Sequence, residues 1–92
     1  MAEGFANNSE LFQFINSTIE GLHKINEDTW AYEFRNAMQI SFMPGEVLGA
    51  LLTTLLNFQK TTIPQKMQIE RDIQLAIDAL DEAFGNRRLK DK

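Results

Sequence analysis

Residues 43–58 read MPGEVLGALLTTLLNF and carry one charge, Glu46; the rest are almost wholly apolar or small. A helix on the surface of a globular protein shows an apolar stripe and a polar back, and this stretch has no polar back. Pro44 disfavours helix at Met43 and suits the first position of a new helix, so a helix is predicted over 44–59. Val47, Leu48, Leu51, Leu55 and Phe58 make its main face, while Leu52 and Leu56 lie on a second side. Gly49, Ala50, Thr53 and Thr54 keep parts of the rod slim, which allows a neighbour to approach closely. A rod apolar on two sides is the inner helix of a bundle, a docking surface, or a membrane-seeking segment. The third use fails on length, because a span needs roughly 20 apolar residues. It also lacks basic anchors, since only Lys60 lies near its end.

The same reading extends outward in both directions. In Asn7-Asn8-Ser9-Glu10, either Asn can cap a helix, and Glu10 falls in the first turn near the positive end of the dipole. Leu11, Ile15, Ile19 and Leu22 then recur at the 3.6-residue period, which predicts a helix over 9–24. Residues 25–29, Ile-Asn-Glu-Asp-Thr, form a second start, with Asn26 as cap and Glu27 and Asp28 in the first turn. Trp30, Phe34, Ala37 and Met38 follow on one face of a helix over 27–39. Beyond the central rod, Thr61-Thr62-Ile63-Pro64 repeats the proline signal. Ile69, Ile73, Ala76, Leu80 and Phe84 share a face, which predicts a helix over 63–84 with Gly85 as its left-handed stop. There is no strand signal and no repeat. The expected fold is all-α: a single four-helix up-down bundle with helix 44–59 as the inner helix. Residues 1–8 are expected to be a flexible N-terminus, 9–85 the bundle, and 86–92 a flexible basic tail. Leu52 and Leu56 are expected to be covered by the first or last helix, with a second copy of the chain as the other cover.

Totals narrow the class of function. Ninety-two residues make one domain, which buries about 60–65% of its unfolded surface. The absence of cysteine excludes a disulfide framework, a thiolate zinc site and a cysteine nucleophile. It also fits the cytoplasm, as does an N-terminus, MAEGFANNSE, without a signal-peptide pattern. Four of the last seven residues, NRRLKDK, are basic and one is acidic. The chain total is −4, so the remainder carries −7. An acidic body is repelled by nucleic acid and attracted to basic partners.

The chemistry-bearing residues do not assemble into an enzyme. His23 is the sole histidine, and no nucleophile-elbow context surrounds Ser9, Ser17 or Ser41. At the end of the first helix its partial positive charge suits the dipole. Asp78, Asp81 and Glu82 share a helix flank but lack the glycine turn of a calcium loop. Gly45 and Gly49 lack the lysine and the strand context of a phosphate loop. The basic tail has no interleaved aromatics of the kind used on nucleic acid. No catalytic residue, cofactor or metal is expected, and neither nucleic acid nor membrane as a partner.

What remains is surface. Glu70, Asp78, Asp81 and Glu82 lie on the outward flank of the last helix, with Glu20 and the corner acids Glu27, Asp28 and Glu33 on the same acidic side. Tyr32 points away from the core face of its helix and is of the residue type enriched at binding hot spots. These eight residues other than Glu20 are the expected contacts with a basic protein; Leu52 and Leu56 are those of self-association. The segment Trp30-Ala31-Tyr32-Glu33-Phe34, a break, then Pro-Gly-Glu-Val-Leu-Gly-Ala-Leu-Leu, and an ending Ile-Asp-Ala-Leu-Asp-Glu-Ala-Phe together resemble small all-helical bacterial toxin-immunity proteins over roughly residues 10–84. Met43 departs from that pattern, standing where a Ser or Thr helix cap is expected. The resemblance implies a protein that binds one toxin and blocks its active site. The expected state is a monomer, with a homodimer as the alternative.

Overall fold

Among the described residues five α-helices follow one another: α1 Asn8–Lys24, α2 Asp28–Met38, α3 Pro44–Gln59, α4 Ile63–Met67 and α5 Glu70–Lys90. The computed structural model describes residues 7–90, and their side chains as far as Glu82 apart from Pro44. No strand occurs among the described residues. The all-α expectation holds; the expectation of four helices is corrected to five, because the last predicted rod is two.

The break falls at Gln68, whose φ of 61° is left-handed. Its N–H donates to the Gln65 carbonyl at 3.1 Å, and the Ile69 N–H donates to the Pro64 carbonyl at 2.9 Å. This pair of bonds is how a Schellman turn closes a helix. The reason lies in packing. Pro64 and Ile73 are both buried, yet on one straight helix they would stand about 180° apart. The turn at Gln68 aims both at the same core. The stop expected at Gly85 is not used, and α5 continues through it to Lys90. The residues that follow, Asn-Arg-Arg-Leu-Lys, include strong helix formers that offset the roughly 1 kcal/mol glycine penalty. The loose N-terminus expected over 1–8 lies outside the described residues as far as Ala6. Asn7 caps α1, its Oδ1 accepting the Glu10 N–H at 3.0 Å.

A second Schellman turn joins α1 to α2. The Glu27 N–H donates to the Leu22 carbonyl at 2.8 Å and the Asn26 N–H to that of His23 at 3.1 Å, with Asn26 at φ 64°. Asn26 therefore ends α1 and does not cap α2, correcting the sequence reading. Asparagine tolerates the left-handed region better than most residues, so the same residue type serves either role. Glu27 takes the cap position of α2 without a side-chain capping bond.

The core collects the faces that the periodicity marked. Leu11, Ile15, Ile19 and Leu22 of α1 are buried with Ala31, Phe34 and Ala37 of α2. From α3 come Val47, Leu51, Leu52, Leu55 and Phe58, and from α5 Ile73, Ala76, Ile77 and Leu80. Helix α3 packs against α2, α4 and α5. Its last turn enters an aromatic cluster in which the Phe58 ring lies 5.1 Å from Trp30 and 5.2 Å from Phe34, edge-on to the latter. Thr18 is buried, and its hydroxyl donates to the Phe14 carbonyl at 2.9 Å. Among the described residues no buried side-chain polar atom lacks a partner.

The slim stretch of α3 does not serve the expected close approach at Gly49, where an added Cβ would meet nothing within 4 Å. The close approach is elsewhere: a Cβ built on Gly21 of α1 would sit 2.8 Å from the Met67 methyl of α4. Gly49→Ala is therefore expected to stabilise the protein by about 0.5–1 kcal/mol, the helix-interior difference between the two residues. Thermal unfolding should rise by about 2–8 °C; an unchanged or lower midpoint would show that Gly49 is needed for contact.

Candidate functional site

The predicted contact residues fall on two helices, each packed against α3. At the start of α2, Glu27 is half-buried and Asp28 is exposed. Asp28 Oδ1 lies 2.8 Å from His23 Nδ1 across the α1–α2 corner. His23 is in the last turn of α1, as expected, and it also bridges to the next helix. One turn beyond Asp28, Tyr32 is 65% exposed, with exposed Glu33 beside it. The opposite face of α2, Ala31, Phe34 and Ala37, is buried, and this amphipathic split is what turns Tyr32 outward.

The second group stands on α5. Glu70, Asp78 and Glu82 are exposed and Asp81 is half-buried. Gln59 at the end of α3 donates from Nε2 to Gln74 Oε1, and Gln74 Nε2 donates to Asp78 Oδ1 at 2.9 Å. This chain of amides holds the Asp78 carboxylate against the flank. Glu70 borders a shallow cleft of about 220 Å³, shared with Gln59, Thr61, Pro64, Ile73 and Gln74. The acids of α2 and α5 thus form two separate groups on two elements.

Of the two self-association residues, Leu52 is buried at 7% exposure and belongs to the core, while Leu56 is 37% exposed. The second side of α3 is therefore covered within the chain at Leu52 and borders solvent at Leu56. Leu48, read as part of the main face, is only partly buried. Among the described residues no three His, Asp or Glu side chains are grouped to hold a metal. No helix among them is long and apolar enough to cross a membrane.

One surface feature is left open by the sequence, in which the apolar Phe42–Met43 link beside Pro44 could tuck inward or stand out as a contact. At the α2–α3 corner Ile40 is 57% exposed, Phe42 is fully exposed at 103% and Met43 is 62% exposed. The order of this corner comes from short-range bonds. The Ser41 hydroxyl accepts the Met43 N–H at 3.0 Å. The Met43 carbonyl accepts from the N–H groups of Glu46 and Val47 at 3.0 and 3.2 Å. Met43 is the cap residue of α3 and makes no side-chain capping bond, so Ser41, two residues earlier, supplies the local hydroxyl. Loop side chains have no period, and the only signal was the apolar composition beside Pro44. Comparison of the chain with family models, with curated proteins and with solved structures found no match.

Proposed function

We propose that this chain is a non-catalytic inhibitor that binds one protein, an immunity protein that blocks a basic bacterial toxin in the cytoplasm. The observation that carries the reading is Tyr32, 65% exposed and flanked on α2 by the exposed acids Asp28 and Glu33. A large amphipathic ring bordered by carboxylates suits a basic cleft: the charges steer the approach and the ring supplies a desolvated anchor. Glu27 adds to this group, and Glu70, Asp78, Asp81 and Glu82 of α5 form a second acidic flank that widens the field. In this reading α4 and α5 together act as one bent fourth rod of an up-down bundle, with α3 inside. Inhibition is occlusion, so no group on the chain has to react.

The test starts with affinity capture from source cells, washed at low and at high salt. A single basic protein, retained at low salt and lost at high salt, is the expected result. Against that protein, Glu27→Lys with Asp28→Lys, and separately Asp78→Lys with Glu82→Lys, should each slow association about tenfold or more at low salt, with the helical signal unchanged. Tyr32→Ala should weaken affinity about 30-fold, the scale of a hot-spot residue. Unchanged affinity in both double variants would remove the electrostatic mechanism.

A further inference from the structure

We propose that Ile40, Phe42 and Met43, at the α2–α3 corner, form an apolar plug that seats in a concave apolar pocket on the partner protein. The plug stands on its own geometry; the further expectation that basic side chains rim the pocket rests on the function proposed above. Phe42 has no more cover than it would have in an isolated peptide, and its two apolar neighbours are more than half exposed. Phenylalanine is ordinarily among the buried residue types, and three exposed large apolar residues within four positions make a patch, not a scattered exception. The corner is also held in shape by the bonds from Ser41 and to Glu46 and Val47. A preformed plug loses less freedom on binding than a loose loop would.

The charges nearby select the occupant. No lysine or arginine lies between Arg35 and Lys60, while Glu46 follows the corner directly and is exposed. A loop that enters an anionic bilayer gains from flanking cations, and here the neighbouring charge and the chain total of −4 both oppose it. A second copy is also a poor fit. A two-fold contact that took in enough of α2 to reach the roughly 800 Å² per partner of a standard interface would set the exposed acids Asp28, Glu33 and Glu46 against their own copies. The cleft beside Glu70 is lined by Gln59, Thr61 and Gln74 as well as by Pro64 and Ile73, so a ring seated there would meet two amides, a hydroxyl and a carboxylate. A different protein meets neither objection, because α2 continues the surface. Tyr32 lies eight residues before Ile40, about 12 Å along the helix axis, and its flanking acids provide the charged part of a larger contact.

The test places the photoreactive residue p-benzoylphenylalanine at position 42 of the full chain, expressed in the source cells, and at position 60 as a control on another corner. Expected is one adduct with a different protein from position 42, absent from position 60. Peptide mapping should put its crosslink among apolar residues of a concave site. Ile40→Ser together with Met43→Ser should lower the yield at least tenfold while the unfolding midpoint does not fall, since both side chains face water and a serine at the cap position of α3 can only add a capping bond. An adduct of twice 10.6 kDa containing only this chain overturns the proposal in favour of a second copy. A lipid-bearing adduct overturns it in favour of a membrane. No adduct beyond that from position 60 overturns it outright. Repeating the experiment with Glu27→Lys and Asp28→Lys separates the two readings. A mapped adduct whose rate of formation is undiminished by those changes keeps the plug and removes the acids of α2 from the electrostatic mechanism; loss of the position-42 adduct with the acids intact removes the plug and leaves that mechanism standing.

Discussion

Phe58→Ala is expected to cost about 3–5 kcal/mol of folding stability, the range for truncating a buried aromatic ring. Phe58 is fully buried in the last turn of α3, and it touches the two aromatic rings of α2 at once. Its ring lies 5.1 Å from Trp30 and 5.2 Å from Phe34, so the change removes both contacts and opens a cavity where α2 meets α3. Domains of this size hold about 5–15 kcal/mol in total, and the loss is therefore a large share of the whole. The thermal midpoint should fall on the order of 20 °C. Urea unfolding followed by far-ultraviolet circular dichroism measures the loss, and Trp30 fluorescence reports the same cluster directly. Phe42→Ala provides the internal contrast, expected within about 0.5 kcal/mol of wild type because that ring is already in water. If Phe58→Ala cost less than Phe42→Ala, the aromatic cluster would not be the joint between α2 and α3.

Such contrasts also show which parts of the structure the chain announces in its sequence. The helix over 44–59 coincides with α3 because a proline starts it and an uninterrupted apolar run defines it. Helices α1 and α2 lie within a residue of their predicted bounds, since the periods of Leu11–Leu22 and Trp30–Met38 are unambiguous. The break at Gln68 was not legible. A left-handed glutamine carries no compositional mark, and what imposes it is the burial of Pro64 and Ile73 on one side, a tertiary demand. Asn26 shows the converse: its type announces a turn, but whether it ends one helix or begins the next depends on which carbonyls lie within reach. For the surface, Tyr32, Glu33 and Asp28 were legible as outward because the buried face of α2 fixes the rest of the wheel. Phe42 was not, because a residue outside any helix has no wheel, and only the packing of the helices shows that nothing covers it.

Leu52→Glu and Leu56→Glu are expected to part company sharply, although both residues were read from sequence as one apolar side. Leu52 is 7% exposed and sits among core side chains, so a carboxylate there is left unpaired in an apolar setting. The expected cost is about 3–5 kcal/mol, the scale of an uncompensated buried charge, and the thermal midpoint should fall on the order of 20 °C. Leu56, at 37% exposure, can turn a glutamate to water, and its variant should unfold within about 0.5 kcal/mol of wild type. The pair also decides whether α3 serves a second copy of the chain. A two-fold interface on that side would centre on Leu56, because Leu52 is already occupied within the chain. Sedimentation of wild type and Leu56→Glu over a range of concentrations should give the same mass, that of a 10.6 kDa monomer. A wild type that sediments as a dimer and a Leu56→Glu variant that does not would mean that the solvent edge of α3 is an interface between copies. In that case the outer surface of α2 and α5 would have to be reread as the outside of a dimer.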